Sequence, residues 1–189
     1  IRLPRAICAL FVGASLSVCG ALLQSFFNNP IAEPSLLGIS QGSAFGASLY
    51  FVFSANLLNY LPGVSLVTLA FLGSLLSFFL LLLFSNSNLN QSINHQNNFL
   101  LIGIAINALF SSGIGLMSFL ARDPQARSIT FWNLGTLSGS NWNCIPWLAL
   151  ITFIVTYIGY RMGKSLNAMA LGFEDAQMLN VKIKKLKWS

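Results

Sequence analysis

The stretch from residue 64 to residue 84 contains no charged side chain and is apolar almost throughout. At about 1.5 Å per residue, a helix of this length is roughly 31 Å long, which matches the roughly 30 Å hydrocarbon core of a bilayer. A transmembrane β-strand would alternate apolar and polar residues, and this stretch does not. The stretch therefore predicts a transmembrane α-helix.

The composition extends this prediction to the whole chain of 189 residues. Hydrophobic residues make up 55% of it and charged residues only 7%, against about a quarter in soluble domains. A water-soluble globule could not bury so much apolar surface, which excludes a cytosolic enzyme, and the same numbers exclude a disordered chain. The net charge of +6 comes from too few basic residues for a nucleic-acid groove, so we expect no nucleic-acid partner. We expect an integral membrane protein embedded in a lipid bilayer.

Five stretches are long and apolar enough to span a bilayer. They lie at about residues 6–27, 36–58, 64–84, 99–121 and 145–160. The fold class that they predict is all-α, a polytopic transmembrane helical bundle. The first stretch is too long for a signal peptide, and four more follow it. Because the sequence begins with Ile1 rather than with methionine, we also expect the true N-terminus to lie upstream.

Basic residues indicate the orientation of these spans. With five spans, the connectors on one side carry four basic residues and those on the other side carry six. The four are Arg2, Arg5, Arg122 and Arg127, and the six are Arg161, Lys164, Lys182, Lys184, Lys185 and Lys187. Because cytoplasmic connectors carry the excess of Lys and Arg, we expect residue 1 outside the cell and residue 189 in the cytoplasm.

Small residues recur at every fourth position in several predicted spans, which places them on one helix face. We predict helix packing at Gly13, Gly38, Gly42 and Gly46, since helices in lipid associate by close approach of their backbones. Asn107 lies in a similar stripe of the fourth span. Its amide either belongs to a packed interface or faces a water-filled pathway, because an amide in the middle of a span is costly against lipid.

Two connectors contain features that a simple turn does not need. In residues 28–34, Pro30 and Pro34 prevent the helix from continuing, so the segment is either an ordinary cytoplasmic turn or a constriction at the inner mouth of a pathway. Residues 122–144 are too short and too polar to span, and their Trp and Gly content predicts an interfacial or re-entrant helix. The Ser- and Asn-rich stretch 85–98 predicts a loop.

The segment after the fifth predicted span contains two short helical patterns separated by Gly172. The apolar side chains that they display are Leu171, Phe173, Met178 and Leu179. This patch either lies on the lipid surface, helped by the lysines near the end of the chain, or docks a cytoplasmic protein.

Motifs for catalysis are missing from the sequence. It has no HExxH motif and a single histidine, and Cys8 and Cys19 would lie about 16 Å apart on one helix, too far for a disulfide. A phosphate-binding GxxxxGK(S/T) motif is also lacking, so any use of ATP requires a partner. We predict a protein that is not an enzyme and that has no cofactor and no metal site.

Several motifs of the chain resemble one known family, the FecCD/BtuC-like permease subunits of type II ABC importers. The motifs follow the family order over nearly the whole chain, at residues 2–5, 12–14, 20–24, 29–40 with Gly42, 101–107, Phe131-Trp132 with Gly135, and 166–181. Members of this family carry ferric siderophores, haem or cobalamin. The resemblance implies a partial permease domain over residues 1–189, with the second to sixth of the family's roughly ten helices and a cytoplasmic coupling segment at residues 164–182.

The resemblance also implies partners and a location. Permeases of this family pair with a second permease subunit, identical or different, and stand on cytoplasmic ATPase subunits. They receive their substrate from a periplasmic or surface substrate-binding protein, and they reside in the bacterial cytoplasmic (inner) membrane. The permease itself supplies no chemical step.

Individual residues match positions of known role in the family. Arg2 and Arg5 match outward arginines that pair with carboxylates of the binding protein, a bond that charge strengthens. Asn29 and Ile31, on either side of Pro30, match the connector that lines the inner gate, and Asn107 is our further candidate for the pathway. The coupling helices that insert into the ATPase match Leu171, Gly172, Glu174, Ala176 and Leu179.

Two alternatives stay open at this point. A secondary transporter also has broken helices and stripes of small residues, and it predicts transport without ATP. A non-functional, truncated permease remnant is the other alternative, because half of a helical bundle leaves helix faces without partners.

Overall fold

The computed structural model of the protein describes residues 2–53, 65–86 and 95–170. Within these ranges it contains helices and turns and no strand. The helices are α1 (Arg2–Phe27), a short 3-10 helix (Pro34–Leu37), α2 (Ile39–Phe53), α3 (Leu66–Asn86), α4 (His95–Leu120), α5 (Asp123–Leu134) and α6 (Ile145–Ala170). The predicted all-α class is confirmed.

Four of these helices are long and apolar enough to cross a membrane. The candidate spans among the described residues are Arg2–Phe27, Leu66–Ser85, Asn98–Leu120 and Ile145–Gly163. They correspond to the first, third, fourth and fifth of the predicted spans. The prediction of a polytopic membrane protein is therefore confirmed.

The predicted second span, residues 36–58, is not one continuous helix. α2 begins only at Ile39 and has 15 residues, and the 3-10 helix and Gly38 precede it. Gly38 has a φ of +76°, a left-handed value that interrupts a right-handed helix, so the regular helix begins at Ile39 rather than near residue 36. The predicted end lies in residues 54–64, outside the described residues, and the total of five spans is still untested.

Two further boundaries differ from the prediction. α6 continues to Ala170 instead of ending at residue 160. The apolar pattern stops near Arg161, but the backbone hydrogen bonds of a helix do not require apolar side chains, and polar residues can prolong it. In the same way α4 begins at His95, inside the polar stretch 85–98 that was expected to be a loop.

The chain divides into two compact units. The first comprises Ile1–Glu33 and Leu137–Ser189, and its described helices are α1 and α6. The second is Pro34–Thr136, which contains the 3-10 helix and α2 to α5.

In the first unit, α1 and α6 pack against each other. Ser15 Oγ lies 2.9 Å from Thr152 Oγ1, and only 9% of Thr152 is exposed. Two turns further along α6, Gly159 permits close approach, since a Cβ added there would lie 3.0 Å from Val18 Cγ1. The pair of hydroxyl groups and the close approach at Gly159 together hold α1 against α6. This is expected for helices in lipid, where the hydrophobic effect does not drive association.

In the second unit, α2 and α3 approach each other backbone to backbone. A Cβ added to Gly42 would lie 2.5 Å from the carbonyl oxygen of Gly73, and one added to Gly46 would collide with the carbonyl oxygen of Leu69. Real Cβ atoms do not come so close to a backbone oxygen. The two helices can therefore pack as they do only because glycines occupy the contact.

Two apolar clusters complete the second unit. The first joins α3 to α4 through the buried side chains of Leu81, Ile106 and Phe110. The second joins α2, α4 and α5 through the buried side chains of Ala44, Ile114 and Ile129. Trp132 of α5 adds an edge-on ring contact to Phe51, with centroids 6.4 Å apart. A helix was predicted in residues 122–144 and α5 is that helix, whereas its depth in a membrane is untested.

Candidate functional site

The break between the 3-10 helix and α2 is the main irregularity of the second unit. Gly38 adopts its left-handed conformation there, and its N–H donates to the carbonyl oxygen of Ser35 at 3.2 Å. Its own carbonyl accepts the N–H of Gly42 at 2.9 Å. An L-residue with a Cβ would be strained at this φ, so the break requires glycine.

Two polar side chains from neighbouring helices bind the break. Ser77 of α3 is fully buried and donates its hydroxyl hydrogen to the carbonyl oxygen of Gly38 at 2.9 Å. Asn107 of α4 is half-buried and donates from Nδ2 to the carbonyl oxygen of Ser35, also at 2.9 Å. Each of these carbonyls also accepts a backbone N–H, from Gly42 and Gly38 respectively, so the two side chains are second donors that tie the break to α3 and α4.

α4 also contacts the break through its backbone. A Cβ added to Gly103 would lie 2.8 Å from the carbonyl oxygen of Leu36, and one added to Gly38 would lie 2.9 Å from the backbone nitrogen of Asn107. Gly103 and Asn107 are four residues apart and share one face of α4. The 3-10 helix and its junction with α2 thus rest on the face of α4 that carries Gly103 and Asn107.

The connector with the predicted gate residues belongs to the first unit. α1 ends because Asn28 has a φ of +48°, and the N–H of Asn29 then reaches back to the carbonyl of Gln24 at 3.1 Å. This i to i−5 bond is the closing bond of a Schellman motif, and asparagine is one of the few residues that tolerate the conformation. The helix end is therefore encoded locally.

The polar side chains of this connector form hydrogen bonds within the turn itself. Asn29 Oδ1 accepts the N–H of Ile31 at 3.0 Å, and Gln24 donates from Nε2 to the carbonyl of Pro30 at 3.0 Å. Ile31 is 79% exposed, while the next residue, Ala32, is buried. An exposed apolar side chain on a hydrogen-bonded turn is compatible with a gate and equally with an ordinary turn.

The other predicted site residues lie in several places. Arg2 and Arg5 are both exposed in the first turn of α1. Gly13 has no atom within 4 Å of an added Cβ, so no described residue packs against it, unlike Gly42 and Gly46. The predicted coupling residues lie outside the described residues, namely Leu171, Gly172, Glu174, Ala176 and Leu179.

Of the predicted residues, the structure brings Gly38 and Asn107 together, and it adds two that the sequence analysis did not select. Ser77 and Gly73 belong to the most apolar span and carry no charge that would draw notice. The sequence feature that could have identified them is their spacing of four residues, because Gly73 and Ser77 form a small-xxx-small pair where α3 contacts α2. The groups at the break are hydroxyl, amide and backbone groups, which can hold and orient a segment.

The comparisons of this chain with known proteins all lead to the same family. The sequence model of the FecCD transport family matches residues 1–189. The hemin transport system permease protein HmuU of Yersinia pestis is 34% identical over 99% of this chain and 55% of its own length. The molybdate import system permease protein MolB of Haemophilus influenzae is 31% identical over 100% of this chain and 53% of its own length.

A cobalamin permease and a solved structure extend the comparison. The vitamin B12 import system permease protein BtuC of Serratia proteamaculans is 35% identical over 97% of this chain and 52% of its own length. A metal-chelate type ABC transporter, solved in an inward-facing conformation, superimposes with a TM-score of 0.80 at 31% identity, over 100% of this chain and 58% of that chain.

The chain spans about half the length of the curated relatives that it matches. The match to the family is nevertheless continuous, since no part of residues 1–189 lies outside it. The chain therefore belongs to the FecCD transport family.

Proposed function

We propose that this chain is part of a permease subunit of an ATP-driven importer in the bacterial cytoplasmic membrane, and that it forms part of the translocation pathway. The observation that carries the proposal is the family match over residues 1–189. The cargo that we propose is a metal chelate or a metal-containing cofactor, namely a ferric siderophore, haem or cobalamin. The hemin and vitamin B12 permeases among the relatives support this class, and the molybdate permease makes an oxyanion the competing cargo.

The proposed transport cycle needs three partners. A substrate-binding protein delivers the cargo outside, a second permease subunit completes the pathway, and cytoplasmic ATPase subunits supply the energy. The absence of a phosphate-binding loop motif from this sequence supports a separate ATPase. The permease performs no chemical step, since its part is to convert the motion of the ATPase into a change of access.

Named residues carry separate parts of this cycle. We assign docking of the binding protein to Arg2 and Arg5, whose exposure in the first turn of α1 supports the assignment. We assign the inner gate to the turn that contains Asn29, Pro30 and Ile31. The residues assigned to ATPase coupling are Leu171, Gly172, Glu174, Ala176 and Leu179.

Uptake by the native protein tests the proposal directly. The protein is purified from its membrane with its bound subunits and reconstituted into proteoliposomes with its binding protein outside. We expect ATP inside the vesicles to drive accumulation of a radiolabelled ferric siderophore, haem or cobalamin, and we expect an ATPase subunit to co-purify. The matched control contains a hydrolysis-deficient ATPase and should accumulate no cargo.

The competing functions predict different results in this assay. Accumulation driven by an ion gradient without ATP would indicate a secondary transporter. ATP-driven uptake of molybdate and of none of the other three cargoes would mean that the cargo is an oxyanion and not a metal chelate or a metal-containing cofactor. A protein that binds no ATPase and moves none of the four cargoes would be a remnant of a permease.

A further inference from the structure

We propose that Ser77 and Asn107 are positioning residues that keep the break at Ser35–Gly38 fixed to α3 and α4 in every state of the protein. On this view the start of α2 is an immobile part of the second unit, and access to the pathway changes elsewhere. The statement about transport states rests on the proposed function, whereas the positioning role itself does not.

The first argument concerns the depth of the break. Asn107 lies near the middle of the candidate span Asn98–Leu120, about 14 Å from its start at about 1.5 Å per residue. Ser77 lies equally deep in the span Leu66–Ser85, about 16 Å from its start. The backbone carbonyls that these side chains bind therefore lie beside the middle of two candidate spans, where surrounding lipid would offer no replacement for a lost donor.

The second argument concerns the two carbonyls themselves. The carbonyl of Gly38 accepts both Ser77 Oγ and the N–H of Gly42, each at 2.9 Å. The carbonyl of Ser35 accepts Asn107 Nδ2 at 2.9 Å and the N–H of Gly38 at 3.2 Å. The side chains thus bind the same carbonyls that hold the local turn together. Loss of either side chain should loosen the turn at those two amides.

The third argument is steric. Gly38 and Gly103 place the backbone of the break against the backbone of α4, with added Cβ atoms only 2.9 Å and 2.8 Å from the nearest backbone atoms. Gly42 makes a contact of the same kind with α3. Surfaces that touch backbone to backbone on two sides leave no room for sliding, because packed interiors do not deform continuously. We therefore expect a movement of the break to carry α3 and α4 with it.

Hydrogen exchange of the native protein in nanodiscs tests the positioning role. The readout is the exchange rate of a peptide that covers residues 34–42 and contains the amides of Gly38 and Gly42. We expect Asn107→Leu and Ser77→Ala each to speed this exchange about tenfold, since each removes a hydrogen bond of roughly 1–1.5 kcal/mol.

Two matched controls separate positioning from a general loss of stability. Ser112→Ala in α4 and Ser74→Ala in α3 remove hydroxyls that donate only within their own helices, to Ala108 O and Phe71 O. In these variants, the exchange rate of the peptide over residues 34–42 should stay within threefold of the wild-type rate. Exchange in Asn107→Leu and Ser77→Ala that stays within threefold of these controls would overturn the proposal.

A second measurement needs no substitution. The same peptide is followed in the wild-type complex without nucleotide and in its vanadate-trapped state, and we expect its exchange to differ by less than threefold. A larger difference would mean that the break moves during the cycle and would overturn the proposal. A wild-type protein without ATP-driven uptake would instead contradict the proposed function, and the exchange of the variants would still decide the positioning role.

Discussion

At the scale of single residues, the glycines of this chain have unequal roles that their spacing does not reveal. Gly13 and Gly46 both belong to regular stripes of small residues. A Cβ on Gly46 would collide with the carbonyl oxygen of Leu69, whereas a Cβ on Gly13 would meet nothing within 4 Å. The pattern therefore identifies candidates for close packing, and only the partner helix decides which of them is indispensable.

This difference predicts opposite effects of one substitution. Gly46→Ala should lower the free energy of unfolding by about 1–3 kcal/mol, because α2 must move away from α3 to admit the methyl group. Gly13→Ala should leave it unchanged or raise it slightly, since alanine favours a helix by about 0.5–1 kcal/mol over glycine. Unfolding of both purified variants in detergent measures the difference. Equal destabilisation would mean that Gly13 has a packing partner of its own.

At the scale of elements, the sequence predicts helices better than it predicts their contacts. Long apolar runs are sufficient for α1 and α3 because a membrane helix must satisfy its own backbone. The start of α2 was misplaced because Gly38, Gly42 and Gly46 have the same spacing in a helix and across a break. The pairing of α1 with α6 could not be predicted, since it depends on residues more than a hundred positions apart, such as Ser15 and Thr152.

The contact between α1 and α6 predicts a measurable coupling. Ser15→Ala and Thr152→Val each remove one member of the pair, and the double variant should be more stable than the sum of the two effects predicts. We expect a coupling of about 0.6 kcal/mol, which is the average for hydrogen bonds between membrane helices. A double-mutant cycle on the free energy of unfolding in detergent measures it.

Ser17→Ala is the matched control for this cycle. Ser17 lies half a turn from Ser15 on the exposed side of α1, and its hydroxyl donates to the carbonyl of Gly13 in its own helix at 2.8 Å. Its removal should show no coupling to Thr152→Val. A coupling of the same size for Ser17 and Ser15 would show that the pair does not join the helices.

The attachment of α5 predicts a contrast between its two faces. Ile129→Ala should lower the free energy of unfolding by about 2–4 kcal/mol, because the 3% exposed side chain fills the cluster with Ala44 and Ile114. Phe131 is 68% exposed, and Phe131→Ala should change stability by less than about 0.5 kcal/mol. Thermal unfolding of the two variants is the measurement. A larger loss from Phe131→Ala would place a partner on the exposed face of α5.

At the scale of the whole molecule, the family could be found from sequence because its motifs are distributed along the entire chain and each is local. The break site was only partly predictable. Gly38 and Asn107 stood out, one as a glycine in a stripe and the other as an amide within a span. Ser77 did not, because a serine in an apolar helix has no local sign of the backbone carbonyl 39 positions away that it binds.

The proposed docking of a binding protein gives the last prediction. Arg2 and Arg5 are exposed and three residues apart, which places both guanidinium groups on the same side of the first turn of α1. If they pair with carboxylates of the binding protein, reversing both charges with Arg2→Glu and Arg5→Glu should weaken docking by tenfold or more. That magnitude follows from about 1.5–3 kcal/mol for each hydrogen bond to a charged partner.

Affinity of the binding protein for the nanodisc-embedded complex measures this effect, and Arg161→Glu is the matched control. Arg161 is also exposed, but the distribution of basic residues predicts that it lies on the cytoplasmic side. Its reversal should leave the affinity unchanged, while the loss from reversing Arg2 and Arg5 should shrink as salt screens the charges. If Arg161→Glu weakens docking and the N-terminal reversals do not, the docking site lies elsewhere and the predicted orientation of the chain is inverted. The same measurement therefore decides both the role of the two arginines and the direction in which the chain crosses the membrane.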